Sequence, residues 1–151
     1  MRRVMGVMTS RERVLVALHN REPDRVPVNY AANPGLDRRL KARFGLAPDD
    51  HEGLLRRLGV DFRGVAAPWR GPKLHADIPE RGVKTDHWGI RRCWVEHGSG
   101  GYWDYCDFPL READEETVAG WKLPDPDLFD YSGVAQACRR HAGCAVVAGD
   151  A

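Results

Sequence analysis

The run Gly143-Cys-Ala-Val-Val-Ala-Gly149 limits the folds open to this chain more than any other stretch. Its apolar residues, confined between two glycines, are too few for a helix and show no polar alternation. Such a run reads as a short strand buried on both faces, the kind found inside a parallel sheet. It follows residues 130–142, which read as a helix carrying Arg139, Arg140 and His141 at the end where the helix dipole favours positive charge. A parallel strand needs a partner reached through a crossover, so the remaining chain must supply strand–helix–strand units.

Those units are visible upstream. Thr9-Ser-Arg-Glu12 is a capping box, after which Val14, Leu15 and Leu18 fall on one helical face; Pro23 forbids continuation and Asn20 is a natural end. Glu22-Pro-Asp-Arg-Val-Pro-Val28 reads as a tight turn into a strand at 26–29, in which Pro27 removes a ladder donor. Leu36, Leu40 and Phe44 predict a second helix closed by Gly45, with Arg38, Arg39, Lys41 and Arg43 on its solvated faces. Asp49 or Asp50 caps a third helix bearing Leu54, Leu55 and Leu58, closed by Gly59. Residues 60–67 follow as a second strand.

The middle breaks this rhythm. Residues 83–107 read as antiparallel, with Gly89–Glu96 and Tyr102–Cys106 flanking a loop of about five residues, His97-Gly-Ser-Gly-Gly101. Trp88, Trp94, Tyr102, Trp103 and Tyr105 gather here. They form either a stacking platform for a flat ligand or the hydrophobic cover that a small hairpin needs. A short helix at 114–121 and the rigid Leu123-Pro-Asp-Pro126 connector lead to the last helix.

Composition excludes several classes. Across 151 residues, 23 basic side chains balance 22 acidic ones, a net charge of +1, which gives no reason to expect nucleic acid or an anionic membrane as partner. Residues 1–8 are read as an extension that lacks the apolar stretch of a secretory signal, and no run is long enough to span a membrane. A cytoplasmic location is the expectation. Cys93, Cys106, Cys138 and Cys144 form no Cys-x-x-Cys pair and read as free thiols, with Cys93 and Cys106 able to face each other across the hairpin. No metal site is expected in this stretch.

Thr9-Ser-Arg-Glu-Arg-Val-Leu-Val-Ala-Leu18 followed by Glu22-Pro-Asp-Arg-Val-Pro-Val28 resembles the opening of the uroporphyrinogen decarboxylase superfamily. Leu58-Gly-Val-Asp-Phe-Arg63, Asp86-His-Trp-Gly89, Pro109-Leu110 and Trp121-Lys-Leu-Pro-Asp-Pro126 follow in an order similar to its corrinoid-dependent methyltransferase-like branch. The resemblance implies a (β/α)8 TIM barrel, a fold that takes ~250 residues. Residues 1–151 then form the N-terminal portion of one such domain, with barrel strands near Val26, Val60 and Ala145 and the hairpin at 83–107 as an insertion.

Barrel enzymes build their sites at the C-terminal ends of the strands, which makes Asn29, Tyr30, Asn33, Arg70 and Asp150 the substrate-contacting candidates. Asn29 and Asn33 equally suit shaping the turn before Pro34. The resemblance also implies zinc and a corrinoid carried on a partner protein for the full-length methyltransferase, with the metal ligands downstream of residue 151. A small-molecule substrate is expected, and self-association is left open. Two other readings stand beside this one: tetrapyrrole decarboxylation and a non-catalytic binding relative. Against decarboxylation, Ala32 and Leu36 stand where the decarboxylases carry two arginines, and Pro68 stands on or beside their essential aspartate.

Overall fold

The computed structural model describes residues 7–98 and 100–149. In chain order the elements are α1 (Ser10–Leu18), α2 (Pro34–Arg43), α3 (His51–Arg57), β1 (Phe62–Val65), β2 (Val83–Thr85), β3 (Arg91–His97), β4 (Gly100–Asp107), α4 (Glu115–Ala119), α5 (Val134–Arg140) and β5 (Ala145–Ala148). The fold is mixed α/β, with a parallel β1–β5 pair and an antiparallel sheet ordered β2-β3-β4. The chain divides into two compact units: one holds residues up to 32, 37–67 and 131 onward, the other residues 33–36 and 68–130.

In the first unit the expected punctuation is in place. The Thr9 hydroxyl accepts from the Glu12 N–H at 3.2 Å while the Glu12 carboxylate accepts from the Thr9 N–H at 2.8 Å, which starts α1. Asp50 caps α3 by accepting from the Gly53 N–H at 2.7 Å. Gly45 and Gly59 both adopt φ +66, the left-handed value that ends a helix without a Cβ clash. β1 runs parallel to β5 with Phe62 opposite Ala145 and Val65 opposite Ala148. Val14, Leu54, Leu55, Val60 and Val65 form the buried core of this unit, each fully covered side chain stabilising by ~1.5–3 kcal/mol.

Five expectations need correction here. Residues 26–29 are not a strand: Pro27 has no donor, and Val28 gives its N–H to the Asp61 carboxylate rather than to a neighbouring backbone. One bond of ladder type survives, from the Asp61 N–H to the Val28 carbonyl at 2.8 Å. β5 is half-buried rather than buried on both faces, because among the described residues it pairs along one edge only. The last helix begins at Val134, not at 130, since a turn closed by the Val134 N–H on the Tyr131 carbonyl precedes it. Lys41 is buried rather than solvated; it pairs with Asp37 one turn earlier at 2.8 Å and donates to the Pro48 carbonyl at 3.0 Å. The expected apolar face of α1 is also only partly covered, with Val14 buried but Leu18 72% exposed.

The second unit carries the antiparallel sheet. β3 and β4 pair from Arg91↔Asp107 to His97↔Gly100, so the connection is shorter than the five-residue loop expected, and β2 adds a third strand against β3. Gly101 lies against the Trp94 ring, where a Cβ would meet ring carbon at 2.5 Å. On the sheet face that carries Trp94 and Trp103, these rings meet edge to face at 5.8 Å. Lys84 sits over Trp103 and Arg92 over Tyr105 on that same face. The rings remain roughly half exposed, so they cover the sheet and still present aromatic surface.

Candidate functional site

Two arrangements in the first unit bear on function, and the first is structural. Asp61, wholly buried just before β1, accepts from Arg13 Nη1 at 2.6 Å, from Arg25 Nη1 and Nη2 at 2.7 and 2.9 Å, and from the Val28 N–H at 2.8 Å. Arg13 in turn holds Asp24 through Nε and Nη2 at 2.6 and 2.9 Å, and Asp24 also accepts from the Met8 N–H. Burial works to raise the Asp61 carboxyl, but the Val28 N–H, the Ser10 hydroxyl and the two arginines outweigh it and hold it below the usual range. The Arg13 bond holds Asp24 well below that range too. Arg63, also buried, is tied to Glu52 at 2.8 Å and to the Val60 and Phe62 carbonyls. The three N-terminal motifs quoted above thus meet in one ion-pair network at the start of β1, each buried charge neutralised and hydrogen-bonded.

The second arrangement is a cleft of about 710 Å³. Its lining includes Tyr30, Ala31 and Ala32, which follow the 26–29 segment, together with Ala66 after β1 and Gly149 after β5. Within it the Tyr30 hydroxyl donates to Asp37 Oδ1 at 3.3 Å, and His51 Nδ1 stands 3.8 Å from the same oxygen. Burial, then the Asp37 charge, pushes the Tyr30 phenol up, so it stays protonated across the physiological range. Burial opposes ionisation of Asp37, but Lys41, Tyr30 and His51 together keep its carboxyl below the ordinary value. The two carboxylates of the cleft are therefore spoken for, Asp37 by Lys41 and Glu52 by Arg56 and Arg63. His51, Arg140 and His141 face the same space. What the cleft offers a ligand is imidazoles and a guanidinium as donors for oxygen acceptors, with the Tyr30 oxygen, whose one proton goes to Asp37, left as an acceptor.

The expected substrate-contacting residues are distributed differently. Asn29 lines the cleft, but its side-chain oxygen accepts from the Tyr30 N–H at 2.8 Å and so shapes its own turn. Asn33, in the second unit, accepts from the Leu36 N–H at 2.9 Å and sets the start of α2. Arg70, also in the second unit, pairs with Asp130 at 3.3 Å. Asp150 lies outside the described residues, as does the greater part of the extension at 1–8. Tyr30 alone joins a polar cluster of the cleft. Asp37, His51 and Arg140 were missed; Tyr30 and Asp37, seven residues apart, meet because the chain turns through Asn33-Pro34 between them.

The Asp86-His-Trp-Gly89 motif is likewise a turn. Asp86 Oδ1 accepts from the Trp88 and Ile90 N–H groups, Oδ2 holds Arg92 at 2.8 Å, and Gly89 takes φ +85 with the Trp121 ring filling the place of a Cβ. Among the described residues, no group of three or more His, Cys, Asp or Glu side chains is gathered to hold a metal ion. No helix among them is long and apolar enough to cross a membrane. Neither family models, curated proteins nor solved structures yield a match to this chain.

Proposed function

We propose that this chain is the N-terminal segment of a uroporphyrinogen decarboxylase-superfamily TIM barrel. The complete enzyme is a corrinoid-dependent methyltransferase that moves a methyl group between a small substrate and a corrinoid protein or thiol. The observation that carries the reading is the division of labour around β1. The quoted motifs converge on Asp61 at the strand's start, and the cleft borders the residues that follow both parallel strands, the end where barrel enzymes work.

In this reading His51 and Arg140 donate to the oxygen atoms of a small substrate, the Tyr30 oxygen accepts from a substrate hydroxyl, and Lys41 fixes Asp37 so that Tyr30 keeps its orientation. The described residues do not themselves form a metal site, so no step is assigned to zinc in this segment. On the resemblance, the metal's ligands come from later in the barrel, where the metal lowers the proton affinity of a thiol acceptor. Ala32 lines the cleft where the decarboxylases carry an arginine, which argues against gripping a polycarboxylated tetrapyrrole there.

The test gives the complete polypeptide a methylated corrinoid protein plus a thiol acceptor in one assay, and uroporphyrinogen in another. The expected result is a change in the corrinoid spectrum with no coproporphyrinogen. Coproporphyrinogen formation with an unchanged corrinoid spectrum would replace this reading with decarboxylation.

A further inference from the structure

The second unit contains a cavity of about 470 Å³ with a largely aromatic wall. Two stretches of chain build it. At the Asp86 turn, Gly89 leaves room for the Trp121 ring, whose Nε1 donates to the Trp88 carbonyl at 3.1 Å. The same ring stacks on His75 at 4.7 Å, and His75 Nε2 donates to the Lys122 carbonyl at 2.8 Å. Trp121 is therefore held in place without a ligand, which lowers the ordering cost of binding one. After β4 the chain turns through Pro109, closed by the Arg111 N–H on the Phe108 carbonyl at 2.9 Å. That turn lays the Arg111 guanidinium over the Phe108 ring at 4.6 Å. Trp88, Tyr105, Phe108 and Leu110 also line the cavity, and each is about half exposed. Large apolar side chains left open around one concavity, rather than scattered singly, mark a place for an occupant.

The two charged side chains of the lining differ. Asp107 is neutralised: it accepts from Arg81 Nη1 and Nη2 at 3.1 and 2.9 Å and stands 3.5 Å from Arg91. Arg111 has no carboxylate partner among the described residues, so its contact with Phe108 leaves its charge unmatched. The cavity thus joins flat apolar walls to one uncommitted guanidinium. We propose that it binds a small aromatic carboxylate, with the ring system among Trp88, Phe108 and Trp121 and the carboxylate on Arg111. Aromatic walls favour an aromatic guest through stacked or edge-to-face contacts, and the planar guanidinium fork matches a carboxylate with two parallel hydrogen bonds. The volume lies within the ~300–1,000 Å³ usual for small-molecule sites and suits a guest of one or two fused rings. Every residue of the lining belongs to the second unit, so this site is independent of the methyl-transfer reading of the first.

The experiment titrates the complete chain with naphthalene-2-carboxylate by isothermal calorimetry, with naphthalene-2-methanol and octanoate as comparators. The expected result is saturable one-to-one binding of the naphthoate, about tenfold tighter than either comparator, because the alcohol lacks the charge and octanoate lacks the rings. Arg111→Gln should weaken the naphthoate by about tenfold, the loss of one charge-assisted contact, and leave the alcohol unchanged. Leu110→Trp, which fills the cavity from a half-exposed position, should abolish binding of both. Arg111 and Leu110 are both exposed, so both variants should keep the wild-type melting curve. No saturable naphthoate binding, equal affinity for the alcohol or for octanoate, or an unchanged naphthoate affinity in either variant would overturn the proposal.

Discussion

Replacing Asp61 by Asn probes the anchor on which the N-terminal motifs converge. Asparagine nearly conserves volume, so no cavity opens, but it removes the charge that faces Arg13 and Arg25 and places an amide donor among their N–H groups. Arg13, 5% exposed, keeps Asp24 as a partner; the Arg25 side chain, 41% exposed, recovers water. Breaking a buried pair from one side costs ~3–5 kcal/mol, and the rehydration of Arg25 places this case near the lower end, about 3 kcal/mol. At ~2–4 °C per kcal/mol for a domain of this size, the midpoint should fall by about 6–12 °C. Urea unfolding followed by far-ultraviolet circular dichroism gives the free energy directly. A loss below about 1 kcal/mol at unchanged m would refute the claim that Asp61 anchors the unit.

Three further outcomes follow. Because the Asp61 and Asp24 carboxyls are depressed in the folded chain, their stabilisation is present above the unfolded value of ~3.9 and is lost as pH falls toward the folded values; Asp61→Asn should flatten that acid limb in pH-dependent melts. Tyr30 should ionise above the ordinary phenol value, and Asp37→Asn should bring it back toward ~10, read as the difference between wild-type and Tyr30→Phe ultraviolet titrations. Gly89→Ala should destabilise more than Gly82→Ala: both positions carry positive φ and incur ~1–2 kcal/mol, but only at 89 does the new methyl meet the Trp121 ring, whereas at 82 it meets open space. Equal losses in the two alanine variants would show that Trp121 yields freely.

Helix boundaries were legible wherever one local group decides them. The Thr9–Glu12 box, the Asp50 cap and the glycines at 45 and 59 each act within a few residues, and the structure uses all of them. The β3–β4 hairpin and the apolar strand β5 were legible for the same reason, since alternation and turn chemistry are local. Residues 26–29 misled because their β-branched composition says strand, while the Val28 donor goes to a carboxylate 33 residues away. Lys41 misled because a basic residue among arginines reads as solvated, whereas the carbonyl of Pro48 and the carboxylate of Asp37 enclose it.

Asp61 itself left a sign that went unread, an acidic residue between Val60 and Phe62 at the head of an apolar strand. The cleft was the least legible feature. Tyr30, Asp37 and His51 come from a turn, a helix and the next helix, and only tertiary packing brings them to one oxygen.

The most direct measurement follows methyl transfer by the complete polypeptide through the corrinoid spectrum, comparing wild type with His51→Ala and reading kcat/KM beside the melting temperature. The His51 side chain is 58% exposed, so folding should be unchanged while kcat/KM drops by about tenfold, the loss of roughly one substrate hydrogen bond. Transfer at the wild-type kcat/KM in His51→Ala, or no transfer by the intact wild-type enzyme, would contradict the account.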